Sequence, residues 1–218
     1  MFINRKLIAA TAAIVALTFS GMASALTYQI DTGAGWVNMS SLSSAQTAAQ
    51  HYGPLNTGPG YAQSDTGFMW LHTNSNNGDV AWGTLLDVNR DTTSGRARVT
   101  LQGLPGSAYI SLRDDGSEPG NISGGTLNAA WNWAGCCTDG VVINGMNGEW
   151  QVDVQLTSYT GINNWYFLTG DVNAPTQIAL NDTFSVRAVN STDVPLPAPA
   201  ALFAVGAVAL YRRRNALA

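Results

Sequence analysis

Apolar and polar residues alternate without a break from Glu149 to Leu156 (Glu-Trp-Gln-Val-Asp-Val-Gln-Leu). A period of two puts Trp150, Val152, Val154 and Leu156 on one face of a strand and Glu149, Gln151, Asp153 and Gln155 on the other. The segment is therefore predicted as a strand with one side in a core and one in water. Less regular runs of the same kind span Leu26–Ile30, Phe68–His72, Val80–Val88, Arg96–Leu101, Ala108–Arg113, Trp165–Thr169 and Thr183–Val189. Between them, segments 74–79, 89–95, 103–106, 114–125, 144–148 and 161–164 are rich in Gly, Asn, Asp and Pro, whose backbone preferences make turns. Ser40–Gln50 predicts one short surface helix, and no helical pattern follows it. Eight to ten short strands at this spacing predict an all-β protein, a single jelly-roll-like β-sandwich over residues 26–193. An immunoglobulin-like topology is the alternative, because strand order depends on long-range pairing that periodicity does not encode. No repeat of fixed period is visible.

The two ends break this pattern. Residues 1–25 open with Arg5 and Lys6, continue through an apolar run from Leu7 to Phe19 and end in Ala23-Ser24-Ala25, the layout of a cleaved secretory signal peptide. At the other end, residues 194–214 comprise Val194-Pro195-Leu196-Pro197-Ala198, an uncharged run from Ala200 to Tyr211, and then Arg212, Arg213 and Arg214. A basic cluster at the end of an apolar segment is held on the cytoplasmic side of a membrane. From Pro195 to Leu210 there are only sixteen residues, and stable spanning takes about twenty. A transient inner-membrane tether fits better than a permanent anchor.

This three-part tail resembles the PEP-CTERM sorting signal of bacterial envelope proteins, with Val194 to Ala198 in the place of its usual Val-Pro-Glu-Pro-Ala. Leu196 replaces the usual acidic residue, as in the Val-Pro-Leu-Pro-Ala subgroup of such signals. The resemblance covers residues 194–214 alone. It implies processing by a membrane-embedded, cysteine-dependent exosortase and delivery to the surface or extracellular matrix of a Gram-negative, exopolysaccharide-producing bacterium. It implies nothing about the fold of the body.

Without its two ends the chain is strongly acidic. All fourteen carboxylates lie between Asp31 and Asp193, against Arg90, Arg96, Arg98, Arg113 and Arg187, and the only lysine is Lys6. The full chain's net charge of −4 therefore becomes −9 in the body. A lysine-free acidic surface argues against nucleic acid as a partner and favours solubility after export. Export also places the only two cysteines, Cys136 and Cys137, in an oxidising compartment. They are adjacent, so a vicinal disulfide, an intermolecular pair and buried thiols all remain open.

Candidate chemistry concentrates in two places. The first is Trp131-Asn132-Trp133-Ala134-Gly135-Cys136-Cys137-Thr138-Asp139. If displayed, Trp131 and Trp133 would stack on sugar rings while Asp139 took hydroxyls, giving a lectin-like module. Since they share one strand face, the two rings would otherwise bury together. The second is Asp114-Asp115-Gly116-Ser117-Glu118, where Asp114, Asp115 and Glu118 offer oxygens to calcium; no cofactor is otherwise required. Asp87-Val88-Asn89-Arg90-Asp91 opens like a calcium-binding loop, but Thr92 stands where that loop needs Gly and Arg98 where it needs Glu. Zinc lacks ligands, since only His51 and His72 accompany the two adjacent sulfurs. No nucleophile elbow, zinc-protease motif or phosphate loop is present. Glu149 and Asp153 share the wet face of one strand, the wrong geometry for a glycosidase pair. The sequence thus predicts a structural or adhesive matrix protein in contact with exopolysaccharide. A lectin-like module, calcium-dependent or not, is the alternative, and a secreted hydrolase ranks behind both.

Overall fold

A computed structural model describes residues 26–54, 59–88, 90, 92–116, 118–135 and 137–191. The signal-peptide and sorting-tail segments lie outside the described residues. In chain order the elements are β1 (Leu26–Asp31), β2 (Val37–Met39), β3 (Leu42–Ser44), α1 (Ala48–Tyr52), β4 (Thr66–Asn74), β5 (Val80–Leu86) and β6 (Gly95–Gln102). They continue with β7 (Tyr109–Arg113), β8 (Ile122–Ser123), β9 (Thr126–Trp133), β10 (Asp139–Asn144), β11 (Trp150–Thr160), β12 (Asn164–Asp171), β13 (Ala174–Ala179) and β14 (Thr183–Asn190).

These strands form two sheets. One runs β2-β1-β14-β11-β6-β9-β8; the other runs β13-β12-β4-β5-β10-β7, with β3 also beside β4. Most neighbours are antiparallel, whereas β12 and β3 both lie parallel to β4. The chain is all-β and sandwich-like, as its alternation predicts. β11 follows the predicted pattern residue by residue, with Trp150, Val152, Val154 and Leu156 buried and Gln151, Asp153 and Gln155 exposed.

Between the sheets lies the main core, drawn from β5, β6, β9, β10, β11 and β14 among others and including Trp82, Leu101, Trp131, Trp133, Val152 and Phe167. β4 and β5 are buried along nearly their whole length, because their sheet is covered on both faces. Met69 and Leu71 point into the main core, while Phe68 and Trp70 point outward into a second cluster with Leu42, Ala48, Tyr52 and Leu168. Gly83 is fixed by that second cluster: a Cβ there would sit 2.1 Å from Trp70 Cε2.

Here the structure corrects the sequence reading of residues 40–50. Leu42–Ser44 is a strand, and the helix covers Ala48–Tyr52. Thr47 caps it, its hydroxyl accepting from the Gln50 backbone while the Gln50 side chain accepts from the Thr47 backbone. It is less a surface helix than a lid on the outer sheet face, burying Ala48, His51 and Tyr52. Among the described residues there are fourteen strands against the eight to ten expected: β2, β3 and β8 have three residues or fewer, too short to register as periodicity, and β9, β10 and β13 are longer strands that the alternation does not mark.

His51 and His72 meet on that lidded face, with ring centroids 5.0 Å apart and nearly parallel. His51 Nε2 lies 3.2 Å from the Tyr61 hydroxyl, and His72 Nε2 lies 2.9 Å from Ser44 Oγ. Burial, and secondarily the His72 ring, lower the His51 pKa to about 4. Unfolding restores the ordinary value of about 6.5, so the unfolded chain binds the proton more readily. The stability this site contributes is complete above that value and is lost as pH falls toward 4. Urea midpoints measured from pH 7.5 to 4.5 should therefore converge on, then favour, His51→Gln relative to the parent as pH falls. A constant offset between the two proteins would refute this assignment.

Candidate functional site

Three strand ends meet at one end of the sandwich. β5 leaves its sheet at Leu86, which pairs with Asp139 at the start of β10; on the other side of β10, Arg113 at the end of β7 pairs with Val141. The Asp114 backbone N–H donates to Gly140 O, so antiparallel pairing draws Asp114 and Asp139 together although they are 25 positions apart in the chain. Gly140 is required where it stands: a Cβ would meet Thr84 O at 2.3 Å and the Tyr52 hydroxyl at 2.6 Å. The absent side chain is what lets α1 set Tyr52 over β10.

The carboxylates at this end occupy different environments. Asp87 is fully buried, its Oδ1 accepting from the Asp65 N–H at 2.9 Å and its Oδ2 from Trp133 Nε1 at 3.0 Å. Asp114 is also buried, and its Oδ2 accepts from the Tyr52 hydroxyl at 2.8 Å and from Thr138 Oγ1 at 3.3 Å. Burial first, and then the Asp114 carboxylate, push the Tyr52 phenol up, so it stays protonated and able to donate. Glu118 is half-buried and accepts the Asn132 backbone N–H at 3.1 Å, while Asp115 is exposed.

Asp139 differs from all of these. It is 2 % exposed, yet its Oδ2 has no hydrogen-bond partner. One oxygen each from Asp115, Glu118 and Asp139 lie within 4.8 Å of one another. Burial, followed by the charges of Asp115, Glu118 and Asp114, pushes the Asp139 carboxyl up to about 7. The nearby arginine does not relieve this crowding, since Arg113 Nη2 donates to Gly120 O and Asn121 Oδ1, both at 2.7 Å.

The structure thus regroups the residues singled out in the sequence. Trp131 and Trp133 lie within β9, not in a displayed loop, and are 3 % and 4 % exposed in the main core. Neither ring offers a face to a sugar, which removes the stacking platform from the lectin-like reading. Asp139 is adjacent to the acidic loop, not to exposed tryptophans. Of the three residues read as calcium ligands, Asp115 and Glu118 share the cluster, while Asp114 lies inward under Tyr52 and Thr138. Sequence reasoning had named Asp139 only as a sugar ligand; its place beside Asp115 and Glu118 depends on the β7–β10 pairing, for which no local signal exists. Cys137 is half-buried and disulfide-bonded, and the chain has one other cysteine, Cys136, which lies outside the described residues. Asn89 and Asp91 of the loop-like motif also lie outside them. Comparison with protein-family models, curated proteins and solved structures finds no match to this chain.

Proposed function

We propose that the chain is an exported β-sandwich displayed at the cell surface or in the extracellular matrix of an exopolysaccharide-producing bacterium, with a structural or adhesive role. The observation that carries this reading is the pair of signal-like terminal segments, residues 1–25 and 194–214, flanking an acidic body without a lysine. Sorting through an exosortase-like enzyme, with a brief stay in the inner membrane, is part of the same proposal. So is a jelly-roll-like arrangement, which the adjacency of β1 and β14 favours. Among the described residues no helix is long and apolar enough to cross a membrane.

Contact with polysaccharide falls to the outer face of the β1-containing sheet, not to the buried tryptophans. There a shallow groove of about 450 Å³ is lined by Thr100, Gln102, Gln155 and Ser185 between Asp31 and Asp153. Neutral amides and hydroxyls of this kind exchange hydrogen bonds with sugar hydroxyls at little desolvation cost.

The test is fractionation of an epitope-tagged full-length chain in a Gram-negative host that makes exopolysaccharide. The parent should reach the surface or medium. The triple variant Arg212→Ala, Arg213→Ala, Arg214→Ala should lose at least about tenfold of that material and accumulate in the cell envelope. Parent protein found soluble in the cytosol with both ends intact would overturn the reading, as would identical distributions of parent and variant.

A further inference from the structure

The cluster formed by Asp115, Glu118 and Asp139 is more than a solvated acidic turn. Exposed carboxylates repel one another cheaply because water screens them. Asp139 lacks that relief: it is 2 % exposed and its Oδ2 is without any hydrogen-bond partner. A buried, unpaired carboxylate is strongly disfavoured unless it takes a proton or something positive sits against it. Among the described residues no cationic side chain does so, since Arg113 is turned to Gly120 and Asn121.

We propose that Asp115, Glu118 and Asp139 bind one divalent cation of the calcium type. Calcium takes oxygen ligands at about 2.4 Å, so two ligands on opposite sides of its shell stand roughly 4.8 Å apart. The three oxygens are all within that span of one another. Magnesium demands near-ideal octahedral geometry at about 2.05 Å and gives up its water reluctantly, so carboxylates held by β10 pairing and by the Glu118 N–H donating to Asp115 O at 3.1 Å suit it less well than the adaptable calcium shell. Three carboxylates suit a doubly charged ion, and water completes the shell on the exposed Asp115 side.

Such an ion would tie the β7–β8 connection to the first residue of β10, closing the end of the sandwich beside the disulfide-bonded Cys137. With few protein ligands and an open side, the site belongs with weak extracellular calcium sites, whose dissociation constants are about 0.1–1 mM. It also gives Asp139 a role that the lost tryptophan platform does not. The inference stands on the geometry of the body and does not require that the tail direct sorting.

The experiment is a thermal-denaturation series on the purified full-length chain in chelator, in 10 mM CaCl2 and in 10 mM MgCl2, at pH 8 and constant ionic strength. Calcium should raise the midpoint by about 3–8 °C, the linkage expected when the ion stands roughly 10–100 times above its dissociation constant, and magnesium by less than half as much. Asp139→Asn should abolish the calcium shift while melting in chelator no lower than the parent, because it removes the crowded charge and keeps the shape. The double variant Asp115→Asn, Glu118→Gln should lose the shift as well. No calcium shift in the parent, an equal shift with magnesium, or a shift retained in Asp139→Asn would each overturn the site. A variant that melts lower in chelator with its calcium shift unchanged would assign Asp139 a structural role and overturn it equally.

Discussion

Trp133→Ala lowers folding stability by about 3–5 kcal/mol, the range for truncating a large aromatic in a close-packed core. The ring is 4 % exposed and sits in the main core. Opposite it the chain has Gly95, where a Cβ would lie 2.2 Å from Trp133 Cζ2. Surroundings shaped this closely around an indole have no larger side chain ready to fill the void. The indole N–H is also lost as a donor to Asp87 Oδ2. Against a typical domain stability of about 5–15 kcal/mol, such a loss leaves the variant marginal or unfolded at 37 °C. Urea denaturation followed by tryptophan fluorescence measures it directly. A variant with an unchanged midpoint that had lost only polysaccharide binding would return Trp133 to the surface and restore the lectin-like reading.

What the sequence revealed and what it concealed divide along one physical line. Period-two alternation is local, so β11 was legible at every position, and strands with one wet face mostly were too. β9 is as regular in the structure, with Leu127, Ala129, Trp131 and Trp133 inward. In the sequence it is obscured, because Ala130 between Ala129 and Trp131 is itself apolar. β4 and β5 gave continuous apolar runs, which mark a strand without saying that both its faces are covered. Which element covers the outer face could not be read, since α1 is five residues long and its partners on β4 and β10 are distant in the chain.

The candidate site follows the same rule. Asp114, Asp115 and Glu118 are neighbours in sequence and were found together. Asp114 turns inward, and Asp139 joins Asp115 and Glu118 only through the register that sets Val141 against Arg113. A shift of one residue in that pairing would turn Asp139 to the opposite face, and nothing local to residues 114–118 specifies it.

Asp87→Ala should cost about 2–4 kcal/mol, although Asp87 touches no proposed ligand. The carboxylate is fully buried at the end of β5 and accepts from two donors, the half-buried Asp65 N–H and the buried Trp133 Nε1. Orphaning the buried indole donor costs about 1–3 kcal/mol, and the half-buried Asp65 N–H less. The backbone adds to this: Asp87 has φ +65, a left-handed conformation that Asp and Asn tolerate and that costs alanine about 1 kcal/mol. Asp87→Asn keeps the backbone preference and one acceptor oxygen, but sets an amide N–H₂ against the second donor, so its loss should be smaller, about 1–3 kcal/mol. The graded order, parent above Asn above Ala in urea midpoint, separates this account from a simple loss of charge, for which the two variants would match. Trp133→Phe, which removes the indole donor and leaves most of the ring, should cost less in the Asp87→Ala background than in the parent, because the hydrogen bond it breaks is already gone. Additive losses in that cycle would mean that Asp87 and Trp133 act independently, and the link between the end of β5 and the end of β9 would have to be given up.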